Sequence, residues 1–483
     1  MSYFYPQAVC TLRVRWESLD NETNTALNKI SIIKCLAKSV TVTLNDYTEA
    51  DIFSCEFDYQ NFPFDPRCIR ALGITIHMDD RTKIFKGSEL YTIEPLDISP
   101  LLEEDKSDKE KKSNIVFQGF ADEESIDLDE TDRVVRIEGR DFTGLLIDLP
   151  WNGKVLDVNK PIGPLIDEIL KQNPSTEKID VYSKVSIDTT GADLPVLKSY
   201  APNLSNMAGN KNSRKNKSYW DMIKTIVGEA GLICYIEIDR LVINRPRNLY
   251  AGSKTYNFIY GKNIQSLSFS RKLGRQKGIN ILVRAINQNK KDNPVIKVEI
   301  PKEANSDWLK ELNLPKNASG TYEQVIKELD KDGKPTEKVA PYLPFNVSNI
   351  ENKELLIEKG QSIWEEIGRQ QIDGELKTKD MRYIGRENEE FNMLKIRNGT
   401  PIELSINQGD MKGLEDQTSV AKKTQFLVER GYDREVANAF ATTFKKFGTK
   451  FYTKSVEFTI NKDDGFSMKL EFLNFIEVTK KGL

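Results

Sequence analysis

The stretch "SYWDMIKTIVGEAGLICYIEIDRLVINRP", residues 218–246, is the most strongly patterned part of this 483-residue chain, and nothing in it looks reactive. Ser218 stands as an N-cap with Asp221 three positions on, so a side-chain oxygen can take up orphan backbone N–H groups while a carboxylate sits at the positive helix end. Trp220, Ile223, Ile226, Val227 and Ala230 recur at helical spacing on one face, and Gly231 supplies the left-handed residue that closes a helix. Two β-branched runs, Leu232 to Ile238 and Leu241 to Ile243, then flank Asp239-Arg240, which predicts a hairpin on a dipeptide that hairpins do not favour. The expected unit is helix, strand, turn, strand, with Trp220 as its core anchor.

A chain of this length is too long for one hydrophobic core and implies three or four domains. Hydrophobic residues make up 39% and charged residues 30%, and no apolar run approaches the ~20 residues of a membrane span, so no membrane anchor is expected. The start, MSYFYPQAVCTLRVRW, lacks a basic segment followed by an apolar core, so synthesis is expected to end in the cytoplasm. A net charge of −3, from 70 basic and 73 acidic side chains, is no footprint for tight binding to DNA or to an anionic membrane.

Cysteine and histidine exclude more than they suggest. Cys10, Cys35, Cys55, Cys68 and Cys234 are odd in number and contain no C-x-x-C pair, which fits neither a disulfide framework nor a zinc site; buried, reduced thiols are expected. His77 is the only histidine and lies in the alternating run Gly73-Ile-Thr-Ile-His-Met, an ordinary strand position. No G-x-S-x-G elbow, P-loop or post-strand G-x-G-x-x-G is present. No catalytic, cofactor-binding or metal-ligating residue is therefore assigned and no cofactor is expected. Paired carboxylates of the glycosidase kind stay open, because their separation in space cannot be read from sequence.

Residues 1–152 read as a first β domain with seven strands, at Val9, Ile30, Val40, Ala50, Ile74, Ile115 and Val134, consistent with a barrel or sandwich. A charged insertion at about 81–113, including the mixed run from Leu102 to Asn114, reads as a solvated loop. Residues 153–260 change period: Asn159 can cap a helix opening with Pro161, carrying Ile162, Leu165, Ile166, Ile169 and Leu170 and ending at Asn173-Pro174. This α/β domain contains a basic loop from Ala208 to Lys217, read as solvated, and then the stretch quoted above. Residues 261–483 return to β, with strands expected at Ile264, Ile279, Val295, Met393, Pro401, Ser455 and Ser467 and insertions at about 301–375 and 411–448. The first insertion reads as irregular and then helical from Leu355 to Ile372; in the second, Asp433 caps a helix ended by Gly448. The expected fold is mainly β with α+β: two β-barrel domains, an intervening α/β domain and helical insertions.

The order of these units resembles the baseplate hub proteins of contractile phage tails, the family that includes late control proteins and the hub part of type VI secretion spikes. In that family a strand with F-x-G is followed by a charged hairpin, then V-x-V-x-G-R-D and a leucine-rich segment. Phe117 and Gly119, then Val135 to Gly139, Arg140 and Asp141, then Leu145 to Leu149 match it, with Ile137 in place of the second valine. The family's W-x-x-I, helix, A-G-L and hairpin are matched by Trp220, Ile223, Ala230, Gly231, Leu232 and Leu241 to Ile243. The resemblance implies two tail-tube-like barrels per chain and three chains giving a ring of six. It implies a structural homotrimer between the sixfold tail tube and the threefold central spike, with the tube or a distal tube initiator and the spike as partners. Wedge and tape measure proteins are further possible neighbours. DNA is implied only as passing cargo, and the location is the baseplate of a virion or tailocin assembled in the bacterial cytoplasm. The alternative is a hub-associated peptidoglycan hydrolase using paired carboxylates.

Overall fold

The computed structural model describes residues 6–19, 26–79, 94–95, 115–171, 186–188, 217–244, 254–271, 281–286, 295–300, 325–329, 335–339, 343–384, 390–405, 413–447 and 450–474. Residues 48, 130, 132, 152–155, 158, 239, 261, 349, 351–352, 370–371, 415 and 462–463 within those ranges are excepted. The mixed-charge run at 102–114, most of the basic loop at 208–217, Asn173-Pro174, Gly448 and residues 301–324 lie outside the described residues.

All seven strands expected in the first β unit form: β1 (Gln7–Leu19), β2 (Ala26–Leu36), β3 (Ser39–Leu44), β4 (Ile52–Asp58), β5 (Ile69–Asp79), β7 (Ile115–Asp129) and β8 (Val134–Asp141). A two-residue β6 (Glu94–Pro95) sits against β2. Alternation is the cause: in β3 Val40, Val42 and Leu44 are buried while Ser39, Thr41 and Thr43 face outward. His77 occupies an ordinary position in β5, opposite Val9 and Ile115, and burial lowers its pKa to about 4. Four of the five free thiols are buried and Cys68 is half-buried; burial pushes Cys35 and Cys234 up to about 12, which keeps them protonated.

Helix α1 (Phe142–Asp148) leaves β8 directly, and α2 (Ile162–Lys171) follows. Pro161, rather than Asn159, stands at the cap of α2: its carbonyl accepts from Leu165 N–H at 3.1 Å, while Asp157 closes the preceding turn by accepting from Asn159 N–H at 3.0 Å. After β9 (Ser186–Asp188) comes α3 (Tyr219–Glu229), with a complete capping box: Ser218 Oγ accepts from Asp221 N–H and Asp221 accepts from Ser218 N–H. Its other end is a Schellman closure. Gly231 takes φ +73°, Leu232 N–H donates to Val227 O at 3.1 Å and Gly231 N–H to Gly228 O at 3.0 Å. The hairpin of β10 (Ile233–Glu237) and β11 (Arg240–Asn244) has Glu237 opposite Arg240, so its turn starts at Ile238, one residue earlier than expected, and Arg240 belongs to the second strand. Ile238 is held at φ +57°, an uncommon conformation for a β-branched residue. Strand β11 pairs in parallel with β9, and Trp220, Ile223, Leu165, Ile166 and Leu241 share one core.

The second β unit comprises β12 (Tyr256–Ile259), β13 (Ser266–Arg271), β19 (Ile372–Thr378), β22 (Pro401–Ser405), β23 (Lys450–Asn461) and β24 (Gly465–Asn474). The expected strands β14 (Ile281–Ile286) and β15 (Val295–Ile300) exist but do not join it. With β18 (Leu343–Ser348) they form a separate three-stranded sheet whose core includes Trp364 of α4 (Lys353–Arg369). The sheet of the second unit is thus interrupted from Arg271 to Ile372 rather than from about 301. Small hairpins β16 (Val325–Leu329) with β17 (Pro335–Val339), and β20 (Arg382–Ile384) with β21 (Glu390–Asn392), fill other connections. The strand expected at Met393 is instead a 3₁₀ turn, Met393–Lys395, because the Asn392 side chain accepts from Leu394 N–H at 3.0 Å and caps it. Helices α5 (Val420–Val428) and α6 (Arg434–Phe447) occupy the last insertion, with Asp433 accepting from Glu435 and Val436 N–H at the head of α6.

Both β units belong to one continuous sheet. Its path is β13-β19-β24-β23-β3-β4-β8-β7-β5-β1-β2-β6, with β22 and β12 branching from β23. The joint is β3 against β23, antiparallel from Ser39↔Asn461 to Leu44↔Val456. One hydrophobic core accordingly runs through both units, from Val42 and Phe53 to Phe458 and Leu470.

Candidate functional site at the junction and on the sheet

Phe117, Gly119, Gly139, Arg140 and Asp141 meet where β7, β8 and α1 cross, whereas Trp220, Ile223, Gly231 and Leu232 lie in α3 and at its C-terminal end. Gly119 faces Asp141 and Ala121 faces Gly139 across the ladder. A Cβ at Gly139 would lie 2.0 Å from Phe120 O, and one at Gly119 would lie 2.3 Å from Arg140 O, so the two backbones approach only because both residues lack one. Phe117 is buried and packs on Phe53 at 5.1 Å between ring centroids. Arg140 clamps the crossing: Nη2 donates to Asp122 Oδ1 at 2.7 Å and to Asp148 Oδ2 at 2.6 Å, and these carboxylates, Asp122 first, hold its pKa above the ordinary value.

Asp141 ends β8 and caps α1, accepting from Thr143 N–H at 2.9 Å and Thr143 Oγ1–H at 3.0 Å. Its own N–H donates to the carbonyl of Asp51 at 3.0 Å, and Asp51 Oδ1 accepts from Asn45 N–H at 2.8 Å. From the second β unit, Arg397 reaches this place, donating to Leu394 O at 2.7 Å, Ile396 O at 2.9 Å and, across the joint, Ile115 O at 3.2 Å. Trp220, Glu237 and Ile238 arrive from the α/β unit. All three units therefore line one cavity of about 40 Å³, with Asn45, Asp51, Asp141, Trp220, Glu237 and Arg397 on its wall. That volume is far below the ~300 Å³ at which small-molecule sites begin.

Burial pushes Asp141 up to about 7 in spite of its hydrogen bonds, and burial with the neighbouring Asp141 raises Asp51 well above its ordinary value. Burial lowers Arg397. A carboxyl whose folded pKa is raised gives stability below its unfolded pKa and loses it as pH climbs towards the folded one. Asp141→Asn keeps a capping oxygen and removes the charge. It is expected to be more stable than the parent by about 1–2 kcal/mol at pH 8, with the gap closing as pH falls from about 7 towards 4. Paired thermal melts across that range check it. A gap that does not change with pH would remove Asp141 as the titrating group.

The outward face of the continuous sheet is the other candidate surface. From β13 to β8, with the second half of β7, register places Glu56, Asp127, Glu138, Asp373, Glu375, Glu457 and Glu471 on it, against Arg136, Arg140, Lys377 and Lys469, while on β1 and β2 the same face carries Arg13, Arg15 and Lys34. Arg136 donates to Glu56 at 2.9 Å and Lys469 lies 3.1 Å from Glu375, so these two cations are neutralised locally. Hydroxyls line the joint itself, where Thr41 and Thr459 bring their Oγ1 atoms to 3.4 Å, with Ser54 and Ser467 in the flanking strands. Sequence reasoning did not find Asp51, Glu237 or Arg397, which carry no motif and meet only through the fold.

At the C-terminal end of α3, Lys359 of α4 donates to the carbonyl of Gly228 and Ser362 Oγ donates to Gly231 O at 3.0 Å, a cation and a hydroxyl on the negative helix end. A Cβ at Gly231 would come within 3.3 Å of Lys359 Cα, so this residue serves both the closure of α3 and the docking of α4.

No protein-family model and no curated protein matches the sequence. Among solved structures, the chain is similar to the tail protein from Neisseria meningitidis, at 10% identity and a TM-score of 0.49, with 98% of each chain covered. It is similar to a tail protein of prophage MuSo2 from Shewanella oneidensis, at 11% identity and a TM-score of 0.46, covering 97% of this chain and 98% of that one. A third is an Escherichia coli component of the type VI secretion system that exhibits structural similarity to T4 bacteriophage tail proteins, at 7% identity and a TM-score of 0.42, covering 92% of this chain and 76% of that one. The proteins to which the chain is similar are thus tail and secretion-system components, matched along most of its length.

Proposed function

We propose that this chain is a structural baseplate hub, a homotrimer that joins the sixfold tail tube to the threefold central spike of a contractile tail or tailocin and forms part of the central channel. The observation that carries this reading is the β3–β23 joint, which makes two β units of one chain into a single continuous sheet. A chain built in this way supplies two adjacent segments of a ring wall, so three copies match a sixfold tube. The outward face of that sheet suits a wall past which DNA moves. From β13 to β8 that surface is net acidic and hydroxyl-lined and would not retain phosphates, whereas a basic wall would hold them.

The partners on this reading are further copies of the chain, the tube end or its initiator, and the spike, with wedge and tape measure proteins beyond. Assembly takes place in the bacterial cytoplasm. The role is non-enzymatic. The hydrolase alternative needs two carboxylates flanking an open substrate site; the buried pair Asp51 and Asp141 lines a cavity of only about 40 Å³, and Asp141 is committed to capping α1.

Native mass spectrometry and electron microscopy of the full chain with its tube and spike partners test the reading. The expected result is a threefold ring with each interface burying more than roughly 2,000 Å². Monomers or dimers alone, at all concentrations and with partners present, would overturn it.

A further inference from the structure

The first β unit has a seam that no ladder closes. Along the sheet β4 is separated from β1 by β8, β7 and β5, and among the described residues no strand pairing joins β1 or β2 to β3 or β4. The chain crosses this seam once, between β2 and β3. At that corner Ala37 N–H donates to Ala8 O at 3.1 Å and Lys38 N–H donates to Glu56 O at 2.7 Å, so two backbone bonds tie β1 and β4 to the crossing. Two thiols meet directly behind it. Cys10 stands two residues along β1 from Ala8, Cys55 precedes Glu56 in β4, and their Sγ atoms are 3.9 Å apart with both residues fully buried. Alternation puts them there: Cys10 shares the inward face of β1 with Leu12 and Val14, and Cys55 shares that of β4 with Phe53 and Phe57.

We infer that Cys10 and Cys55 form a site of oxidative modification, at which a peroxide converts the two thiols to a disulfide that staples β1 to β4 across the seam. The bond does not depend on the hub reading, which supplies only the occasion, since a particle assembled in the cytoplasm leaves a reducing compartment on release. To reach the ~2.05 Å of a disulfide the sulfurs must approach by about 1.9 Å, divided between two side chains. Cys35 is the competitor, directly opposite Cys10 in β2. Among the described residues, however, Cys10 and Cys55 are the only sulfurs in hydrogen-bonding contact, and a Cys10–Cys35 bond would join strands that a long ladder already holds. Cys234 belongs to the α/β core, and Cys68 is half-buried.

Peroxide suits the place because it is little larger than water, whereas a glutathione disulfide does not fit a close-packed core. One thiol sulfur takes an oxygen from hydrogen peroxide, giving a sulfenic acid and one water. The other sulfur then attacks it, and the sulfenic oxygen leaves with the second thiol's proton as another water. Two thiols and one peroxide thus give one disulfide and two waters, each sulfur surrendering one electron to the peroxide oxygens. Burial, and then the contact with Cys55, holds the Cys10 thiol well above its ordinary range, so the reactive thiolate forms only as the corner opens and the reaction is slow in the closed fold. The product ties the β1–β2 side of the unit to β4, next to the strand that makes the β3–β23 joint.

Peroxide treatment of the full chain carrying C68S, which leaves four thiols, tests the site. After catalase the protein is unfolded with N-ethylmaleimide, weighed and digested with trypsin. Two of the four thiols should escape alkylation, the Cys10 and Cys55 peptides should be joined, and dithiothreitol should restore both. The thermal midpoint of the oxidised protein should rise by roughly 5 °C. In the same background C10A and C55A should each keep all three remaining thiols alkylatable and show no rise, while C35A should bridge as C68S alone does. A Cys10–Cys35 linkage, or sulfinic acid in place of a bridge, overturns the pairing. Four alkylatable thiols after peroxide in mild urea, where the corner opens more often, overturn the site itself. A bridge that leaves the midpoint unchanged overturns the staple. The readout is a bond within one chain, so it is independent of how many chains assemble.

Discussion

Replacing Arg397 by alanine is expected to destabilise the protein by about 3 kcal/mol, with the damage at the joint between the β units. The guanidinium serves three carbonyls, those of Leu394 and Ile396 in its own segment and that of Ile115 at the start of β7. It is also the cation that opposes Asp51 and Glu237. Alanine leaves those acceptors and carboxylates facing a small cavity with no donor of that reach, and the cost is the desolvation of groups left behind rather than the lost bonds themselves. Lysine keeps the charge but not the planar fork, so Arg397→Lys should recover only part of the loss. Thermal midpoints of the two variants give the ranking. Hydrogen exchange gives the place, with protection falling first at Ile115 to Phe117 and at Leu394 to Ile396. A loss below ~0.5 kcal/mol, or one spread evenly over the chain, would show that Arg397 does not hold the joint.

The elements legible in the sequence were those whose signal is local. Seven strands of the first unit follow from alternation such as Ser39-Val-Thr-Val-Thr-Leu, and α3 follows from its capping box, apolar stripe and Gly231. Failures came where a local signal competed with another. Met393-Leu-Lys-Ile has strand composition, but the side chain of Asn392 offers a hydrogen bond that favours a 3₁₀ turn. Strand β19, Ile-Asp-Gly-Glu-Leu-Lys-Thr, contains Gly374 where the ring of Phe472 lies over the backbone, and so has little β propensity of its own. Strands β14 and β15 were recognisable as strands, yet the sheet they join is decided by packing against α4, which no period within them encodes.

The junction was legible only in part, for the same reason. Asp141 stood out within Gly-Arg-Asp, and its capping of α1 follows from the next two residues. Its partner Asp51 and the cation Arg397 come from distant segments and carry no pattern, because a buried charge is specified by what surrounds it and not by its neighbours in sequence.

Trp220→Ala is expected to cost on the order of 3–5 kcal/mol, the largest single-residue effect anticipated in the α/β unit. The indole is 4% exposed and shares its core with residues of α2, α3 and the β10–β11 hairpin. It also forms part of the wall that carries Asp141 and Arg397, so truncation would open the small cavity towards the α/β core. No residue among those described accepts from its Nε1, so phenylalanine loses no hydrogen bond there, and Trp220→Phe should cost only the volume difference, about 1–2 kcal/mol. Hydrogen exchange separates two ways of losing this energy. If the α/β unit is a rigid module held between the β units, Trp220→Ala should strip protection from Tyr219–Glu229 and Ile233–Glu237 while Ser39–Leu44 and Val456–Asn461 stay protected. Protection lost together in all four segments would mean instead that the indole helps to hold the β3–β23 joint, and that the module and the ring wall unfold as one unit.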